Sequence, residues 1–132
     1  MSFRVADLLR RTHGIDARVV DLRWLAPLPI EDILRESRAT GRVLVADETR
    51  RSGGVGQAVL AALIENGFQG DVMRVASDDS FIPLGDAALH VLLQERTIEQ
   101  AGLALCRSNR FAHTDTVEHH RCSRDTLATN LQ

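Results

Sequence analysis

The sequence has no lysine and no tyrosine, and only two cysteines among its 132 residues. Without lysine, a Schiff-base mechanism is excluded. Aromatic residues make up only 4% of the chain, so valine, leucine, isoleucine and alanine must supply the core. Cys106 and Cys122 are too few for a disulfide framework, and reduced thiols are therefore expected.

The chain also lacks a strong charge excess and a long apolar run. A formal net charge of -2 gives no electrostatic reason to expect nucleic acid or an anionic membrane as a partner. No apolar run approaches the roughly 20 residues of a transmembrane helix. Charged residues interrupt positions 1–11, which argues against a signal peptide. These absences predict a soluble, cytoplasmic protein.

Helical and strand patterns alternate along the chain. Residues 42–47 (RVLVAD) are apolar at their central positions, which is typical of a parallel strand covered on both faces. Such alternation predicts a three-layer α/β/α fold with a mainly parallel sheet. The predicted order is helix 2–12, strand 17–22, helix 29–39, strand 42–47, helix 55–66, strand 71–76, helix 85–93 and a short helix from Thr97.

The two ends of this pattern are unusual. The first predicted element is a helix, and three parallel strands make a smaller sheet than usual, so a leading strand is expected to be missing. Residues 106–132 hold few large apolar side chains and show no clear period. We therefore expect one domain over 1–105 and a loose or disordered tail over 106–132.

A glycine-rich turn follows the strand 42–47. Its candidate residues are Arg50, Arg51, Ser52, Gly53, Gly54 and Gly56. One interpretation is an anion-binding or protein-interaction site, since glycines let a ligand approach the backbone and a helix N-terminus attracts anions. The other is a tight turn that packs a helix closely against the sheet, which is common in α/β folds.

Asp47 and Glu48 form a carboxylate pair at the end of the same strand. Such a pair can carry out acid–base chemistry, or it can cap the glycine turn or pair with Arg50 or Arg51. No histidine or nucleophile is close in sequence, so no catalytic residue is assigned.

Three further features have structural alternatives. Phe81 and Ile82, in a predicted loop, are either an inward plug or an exposed contact. Trp24 is expected to be a packing anchor. Five residues in the last third are of metal-ligand types, but they lack the paired spacing of zinc sites, and we predict no metal site. These five are Cys106, His113, His119, His120 and Cys122.

Taken together, three segments resemble the transketolase C-terminal domain. They are residues 14–29 (GIDARVVDLRWLAPLP), 41–56 with GRVLVADE and SGGVG, and 72–86 with FIPLGD. More narrowly, residues 1–105 resemble the beta subunit, or a fused form, of thiamine-diphosphate-dependent 2-oxoacid dehydrogenases.

This resemblance implies a subunit-interface domain. In the family, thiamine diphosphate with magnesium is held between two domains that precede this one, so no catalytic or cofactor-binding residue is expected here. The intact enzyme would oxidatively decarboxylate a 2-oxo acid such as pyruvate or a branched-chain acid. This chain would be N-terminally truncated and inactive alone, and it would lack the family's leading strand, which lies inside the sheet.

The resemblance also implies partners. These are other domains or subunits of the dehydrogenase in a homo- or hetero-oligomer, and the acyltransferase core, with the interface at residues 50–56 and 80–85. The alternatives are a stand-alone anion-binding or protein-interaction module and a non-functional fragment.

Overall fold

The structure is a computed structural model that describes residues 1–108 and 125–131. Its elements form a regular series of helices and parallel strands. The helices are α1 (Ser2–His13), α2 (Ile30–Thr40), α3 (Val55–Glu65), a 3-10 helix (Gly85–His90) and α4 (Glu95–Arg107). The strands are β1 (Asp16–Asp21), β2 (Arg42–Arg50), β3 (Asp71–Ser77) and β4 (Asp125–Leu131).

The four strands form one sheet in the order β1-β4-β2-β3. Every neighbouring pair is parallel. β2 pairs with β3 from Arg42 opposite Asp71 onwards, while β4 pairs with β1 on one side and β2 on the other. Because all strands point the same way, the loops after β1, β2 and β3 leave the sheet at one edge.

Alternate residues of β2 point into two separate cores. Val43 and Val45 pack with apolar residues of α2 and α3, while Leu44 and Ala46 pack with those of α1 and α4. All four side chains are at most 1% exposed. The sheet is thus covered by two helices on each face, which confirms the predicted three-layer α/β/α fold with its parallel sheet.

The helices observed after β3 differ from the predicted ones in type and in starting residue. Gly85–His90 forms a 3-10 helix rather than the α-helix expected over 85–93, and α4 begins at Glu95 rather than Thr97. The side-chain amide of Gln94 donates to the carbonyl oxygens of Leu89 and Leu92, which ties the start of α4 to the end of the preceding turn. No described helix is both long and apolar enough to cross a bilayer.

The expectation of a loose tail over 106–132 is wrong at both ends of that range. α4 continues through Arg107, and Asp125–Leu131 forms β4 inside the sheet. The sequence DTLATNL has no continuous apolar run, so its composition concealed a strand that is specified by backbone pairing on both sides. Residues 109–124 lie outside the described part of the chain.

Candidate functional site

The loops that follow β2 and β3 meet at the carboxyl edge of the sheet, where open α/β folds usually place their sites. The backbone N–H of Ser52 donates to Oδ1 of Asp79 at 2.7 Å, and the Ser52 hydroxyl donates to Oδ2 at 2.6 Å. The guanidinium of Arg51 lies 3.9 Å from a carboxylate oxygen of Asp78. The glycine turn and the Phe81 loop, two separate candidate segments of the sequence, therefore form one surface.

The charge of Asp79 is stabilised by these contacts. The Ser52 hydroxyl and then the Ser52 backbone N–H lower the pKa of the Asp79 carboxyl below its ordinary value, with smaller help from Arg51 and Arg50. Asp79 is thus an ionised acceptor that holds the two loops together.

An open groove of about 590 Å³ lies between the two loops. Arg50 lines it from one loop and Phe81 from the other. Arg50 is exposed, and its guanidinium makes no ion pair with the residues that the structure describes. The lining residues are Arg50, Ser52, Gly53, Asp79, Ser80 and Phe81.

Large apolar side chains are exposed beside this groove. Phe81 is 98% exposed, Ile82 63% and Leu84 96%. The inward-plug interpretation of Phe81 and Ile82 is therefore wrong, because both side chains are exposed. Below, the term loop surface means Arg50, Ser52, Gly53, Phe81, Ile82 and Leu84. Trp24 is also 66% exposed, so it is not the packing anchor expected from the sequence.

Asp47 is fully buried and satisfied within the chain. Its Oδ1 accepts hydrogen bonds from the Thr49 backbone N–H at 3.0 Å and the Thr49 hydroxyl at 2.7 Å. Its Oδ2 accepts one from the Gly56 backbone N–H at 2.7 Å. Of the alternatives left open for Asp47, this geometry supports capping of the glycine turn.

Gly54 and Gly56 permit this close approach. A Cβ at Gly54 would lie 2.7 Å from Oδ2 of Asp47, and one at Gly56 would lie 2.8 Å from the same atom. Both distances are shorter than real Cβ contacts allow. The turn therefore packs α3 against β2, and the N-terminus of α3 already holds a carboxylate of the protein itself.

Two supporting residues were missed by sequence reasoning. Arg74 on β3 donates from Nη2 to the carbonyl oxygen of Arg51, and this bond links β3 to the glycine turn. The buried hydroxyl of Ser77 donates to the carbonyl oxygen of Glu48 at 2.7 Å and accepts from the Leu93 N–H at 2.9 Å. A polar residue at the end of an apolar strand was the only available signal for Ser77.

The N-terminus of α3 is occupied by a carboxylate of the chain itself, that of Asp47. The carboxylate of Asp47 at the start of α3 would repel a diphosphate there. Within residues 1–108 and 125–131, no group of three or more acidic, histidine or cysteine side chains is placed to hold a metal. Of the metal-ligand types in the sequence, Cys106 is half-buried on α4, and His113, His119, His120 and Cys122 lie outside the described residues.

Comparison with known proteins places these loops in a family context. The family model described as "Transketolase, C-terminal domain" matches residues 1–98. The chain is 43% identical over 81 residues to the 1-deoxy-D-xylulose-5-phosphate synthase of Gloeobacter violaceus, a match that covers 61% of this chain and 12% of that protein.

Two more relatives show similar identity. The synthase of the same name from Syntrophotalea carbinolica is 38% identical over 111 residues, covering 84% of this chain and 17% of the relative. The pyruvate dehydrogenase E1 component subunit beta of Bacillus subtilis is 35% identical over 89 residues, covering 65% and 27% respectively. The chain therefore spans between about an eighth and about a quarter of the length of these relatives.

Proposed function

The chain belongs to the transketolase C-terminal domain family, and from that premise we propose that it is an interface domain of a thiamine-diphosphate-dependent enzyme rather than its catalytic part. Partner domains or subunits would hold the cofactor and carry out the chemistry. The role of this chain is to present the loop surface to them.

The exposure of Phe81 and Leu84 is the observation that carries this proposal. Both side chains are almost fully in solvent, at 98% and 96%, although each is large and apolar. Contiguous exposed apolar residues are typical of surfaces that a partner covers. Arg50 beside them adds a side chain that, like aromatic residues, is enriched at protein interfaces.

The buried carboxylate of Asp47 supports the absence of a catalytic role. Its three hydrogen bonds all come from residues of the same turn, and the side chain is 0% exposed. A general acid or base must reach the proton that it transfers. The nearby carboxylate of Asp79 is likewise engaged by two hydrogen bonds from Ser52.

The relatives suggest two classes for the whole enzyme. A 2-oxoacid dehydrogenase is one, in keeping with the Bacillus subtilis relative, and it would bring an acyltransferase core as a further partner. A 1-deoxy-D-xylulose-5-phosphate synthase is the other, in keeping with the relatives from Gloeobacter violaceus and Syntrophotalea carbinolica. An assay of the assembled enzyme for each activity separates the two.

The interface proposal is tested by capturing the partner with tagged chain and identifying it. We expect a protein that carries thiamine-diphosphate-binding domains. The double variant Phe81→Ser/Leu84→Ser should abolish its capture, while the control Ile64→Ser, which removes a 75% exposed side chain of α3, should not. Equal loss in both variants, or tight binding of thiamine diphosphate to the isolated chain by calorimetry, would contradict the proposal.

A stand-alone anion-binding module is the second candidate, and the presence of Arg50 in the lining of the open groove favours it. Titration with inorganic phosphate and with acetate tests this alternative. It predicts that binding is lost in the double variant Arg50→Ala/Arg51→Ala, and absence of binding by the unmodified chain removes it.

A further inference from the structure

The loop surface presents a cation and an apolar patch side by side. Arg50 is exposed and lines the open groove. Its Nη2 lies 3.9 Å from the place that a Cβ on Gly53 would occupy, so the guanidinium lies beside the glycine turn. Phe81 and Leu84, on the neighbouring loop, are 98% and 96% exposed. A partner that covers this surface therefore meets a positive charge next to large apolar side chains.

The acidic residues beside the groove are already engaged by other groups. Asp79 accepts hydrogen bonds from the Ser52 N–H at 2.7 Å and from the Ser52 hydroxyl at 2.6 Å. Asp78 lies 3.9 Å from the guanidinium of Arg51. Within residues 1–108 and 125–131, neither carboxylate forms an ion pair with Arg50. The complementary charge for Arg50 is therefore one that a partner can supply.

The backbone donors of the glycine turn favour a carboxylate over a phosphate as that charge. Phosphate sites usually combine several convergent backbone N–H groups. Here the N–H of Ser52 is bonded to Asp79, and the N–H of Gly53 donates to Oε1 of Gln57 at 2.8 Å. The planar guanidinium of Arg50 matches a carboxylate through two parallel hydrogen bonds. The ionised Asp79 nearby also repels a doubly charged phosphate more strongly than a singly charged carboxylate.

We propose that the loop surface binds a protein segment in which an aspartate or glutamate is flanked by aliphatic or aromatic residues. The carboxylate pairs with Arg50, and the flanking side chains cover Phe81 and Leu84. A free small carboxylate would match Arg50 but leave both apolar side chains in solvent. Arginine and aromatic residues carry much of the binding energy of protein interfaces when their neighbours exclude water. This inference rests on the proposed function of the loop surface as an interface and adds the chemistry of the segment that the surface selects.

The test is selection of random peptides, displayed on phage, by the immobilised full chain. We expect enrichment of peptides that place an acidic residue next to aliphatic or aromatic residues. Parallel selection on Arg50→Gln should lose the acidic preference, because the cation is gone, whereas selection on the control Arg107→Gln should keep it. Arg107 is an exposed arginine at the end of α4, next to Ser108, whose hydroxyl bonds to Asp71 at the start of β3 and thus at the opposite edge of the sheet.

The affinity of one selected peptide, measured by fluorescence anisotropy, then tests the ion pair directly. The peptide is synthesised once with its acidic residue and once with the corresponding amide. Arg50→Gln in the chain, or the amide in the peptide, should each weaken binding by about tenfold. Combining the two should add little, because both changes remove the same pair. Phe81→Ser should weaken both peptides by the same factor, since it removes an apolar contact only.

Four results would overturn the proposal. The first is that no family of peptides is enriched, and the second is an acidic preference that is as strong on Arg50→Gln. The third is that inorganic phosphate displaces the peptide better than acetate does at equal ionic strength, which would assign the groove to phosphate. The fourth is a dimer of the chain that Arg50→Gln dissociates, which would assign the surface to a second copy.

Failure of this inference can be told apart from failure of the proposed function. A captured partner without thiamine-diphosphate-binding domains would contradict the function, but an acidic preference that depends on Arg50 would still support the inference. Conversely, selection of apolar peptides without an acidic residue would remove the inference and leave the interface role of Phe81 and Leu84 in place.

Discussion

Gly56 donates its backbone N–H to the buried carboxylate of Asp47 across 2.7 Å, and this bond joins the end of β2 to the first turn of α3. The other carboxylate oxygen is occupied by Thr49. The place where an α/β sheet often binds an anion is therefore filled by a side chain of the protein itself. Asp47 is a structural residue, and its removal should reduce stability.

Asp47→Asn should lower the free energy of unfolding by about 1–3 kcal/mol. The amide has one acceptor oxygen instead of two, so either the Gly56 N–H or the Thr49 N–H loses its acceptor in a buried site. Urea denaturation followed by circular dichroism measures this loss. Glu48→Gln is the control, because Glu48 contributes its backbone carbonyl to the Ser77 contact and that carbonyl is unchanged. A loss as large in the control would argue for a general charge effect.

Gly56→Ala should also destabilise the protein, by about 1–3 kcal/mol. Helix propensity alone would favour alanine here by about 1 kcal/mol. The new methyl group, however, would lie 2.8 Å from Oδ2 of Asp47 and 2.9 Å from Cδ of Arg74. The sign of the change in melting temperature decides between the two effects, and an increase would show that the turn has room for a side chain.

Ser77→Ala should cost about 1–3 kcal/mol because it leaves the Glu48 carbonyl and the Leu93 N–H without their partner. Ser80→Ala is the matched control, since its exposed hydroxyl bonds only to the next residue's carbonyl oxygen. Chemical denaturation of both variants tests this difference. Equal stability of the two would mean that water replaces the Ser77 hydroxyl.

The contact of Ser52 with Asp79 should affect the titration of the Asp79 carboxyl group and the stability of the protein at acidic pH. A carboxyl group with a lowered pKa in the folded state adds stability above its ordinary titration range, and this contribution is lost as the pH falls through the lowered pKa. In Ser52→Ala the hydroxyl contact is gone, so the pKa of Asp79 should rise towards its ordinary value. NMR titration of the Asp79 carboxyl carbon measures this.

The same titration of Ser80→Ala serves as the control for that experiment. Ser80 lies next to Asp79 but does not bond to its carboxylate. We expect the Asp79 pKa to match that of the unmodified chain. A shift as large as in Ser52→Ala would show that loop flexibility, rather than the Ser52 hydroxyl, controls the ionisation.

Much of the fold was predictable because its central strand carries a strong pattern. The apolar residues of β2 alternate between two cores, and both need helical cover, so residues 42–47 alone indicate a sheet buried on two faces. The helices 2–12 and 55–66 followed from their apolar spacing and ended within a residue or so of the observed α1 and α3.

The site was less predictable because its contacts join residues far apart in the chain. Both loops were recognised as candidates, but nothing local indicates that Ser52 bonds to Asp79. The exposure of Trp24 was likewise hidden, since an aromatic side chain beside prolines fits a buried anchor equally well. β4 was missed because its polar residues conceal a strand that is defined by its neighbours.

The place of β4 in the sheet has a consequence for the order of folding. Asp16 pairs with Asp125, more than a hundred positions later in the chain. Contacts of such long separation raise the contact order and slow folding, because a large loop must close before they form. The β2–α3–β3 unit is built from segments that are close in sequence and can assemble early. By contrast, β1 cannot pair until β4 has been synthesised. Closing the sheet at β1 should therefore be the slow, late step.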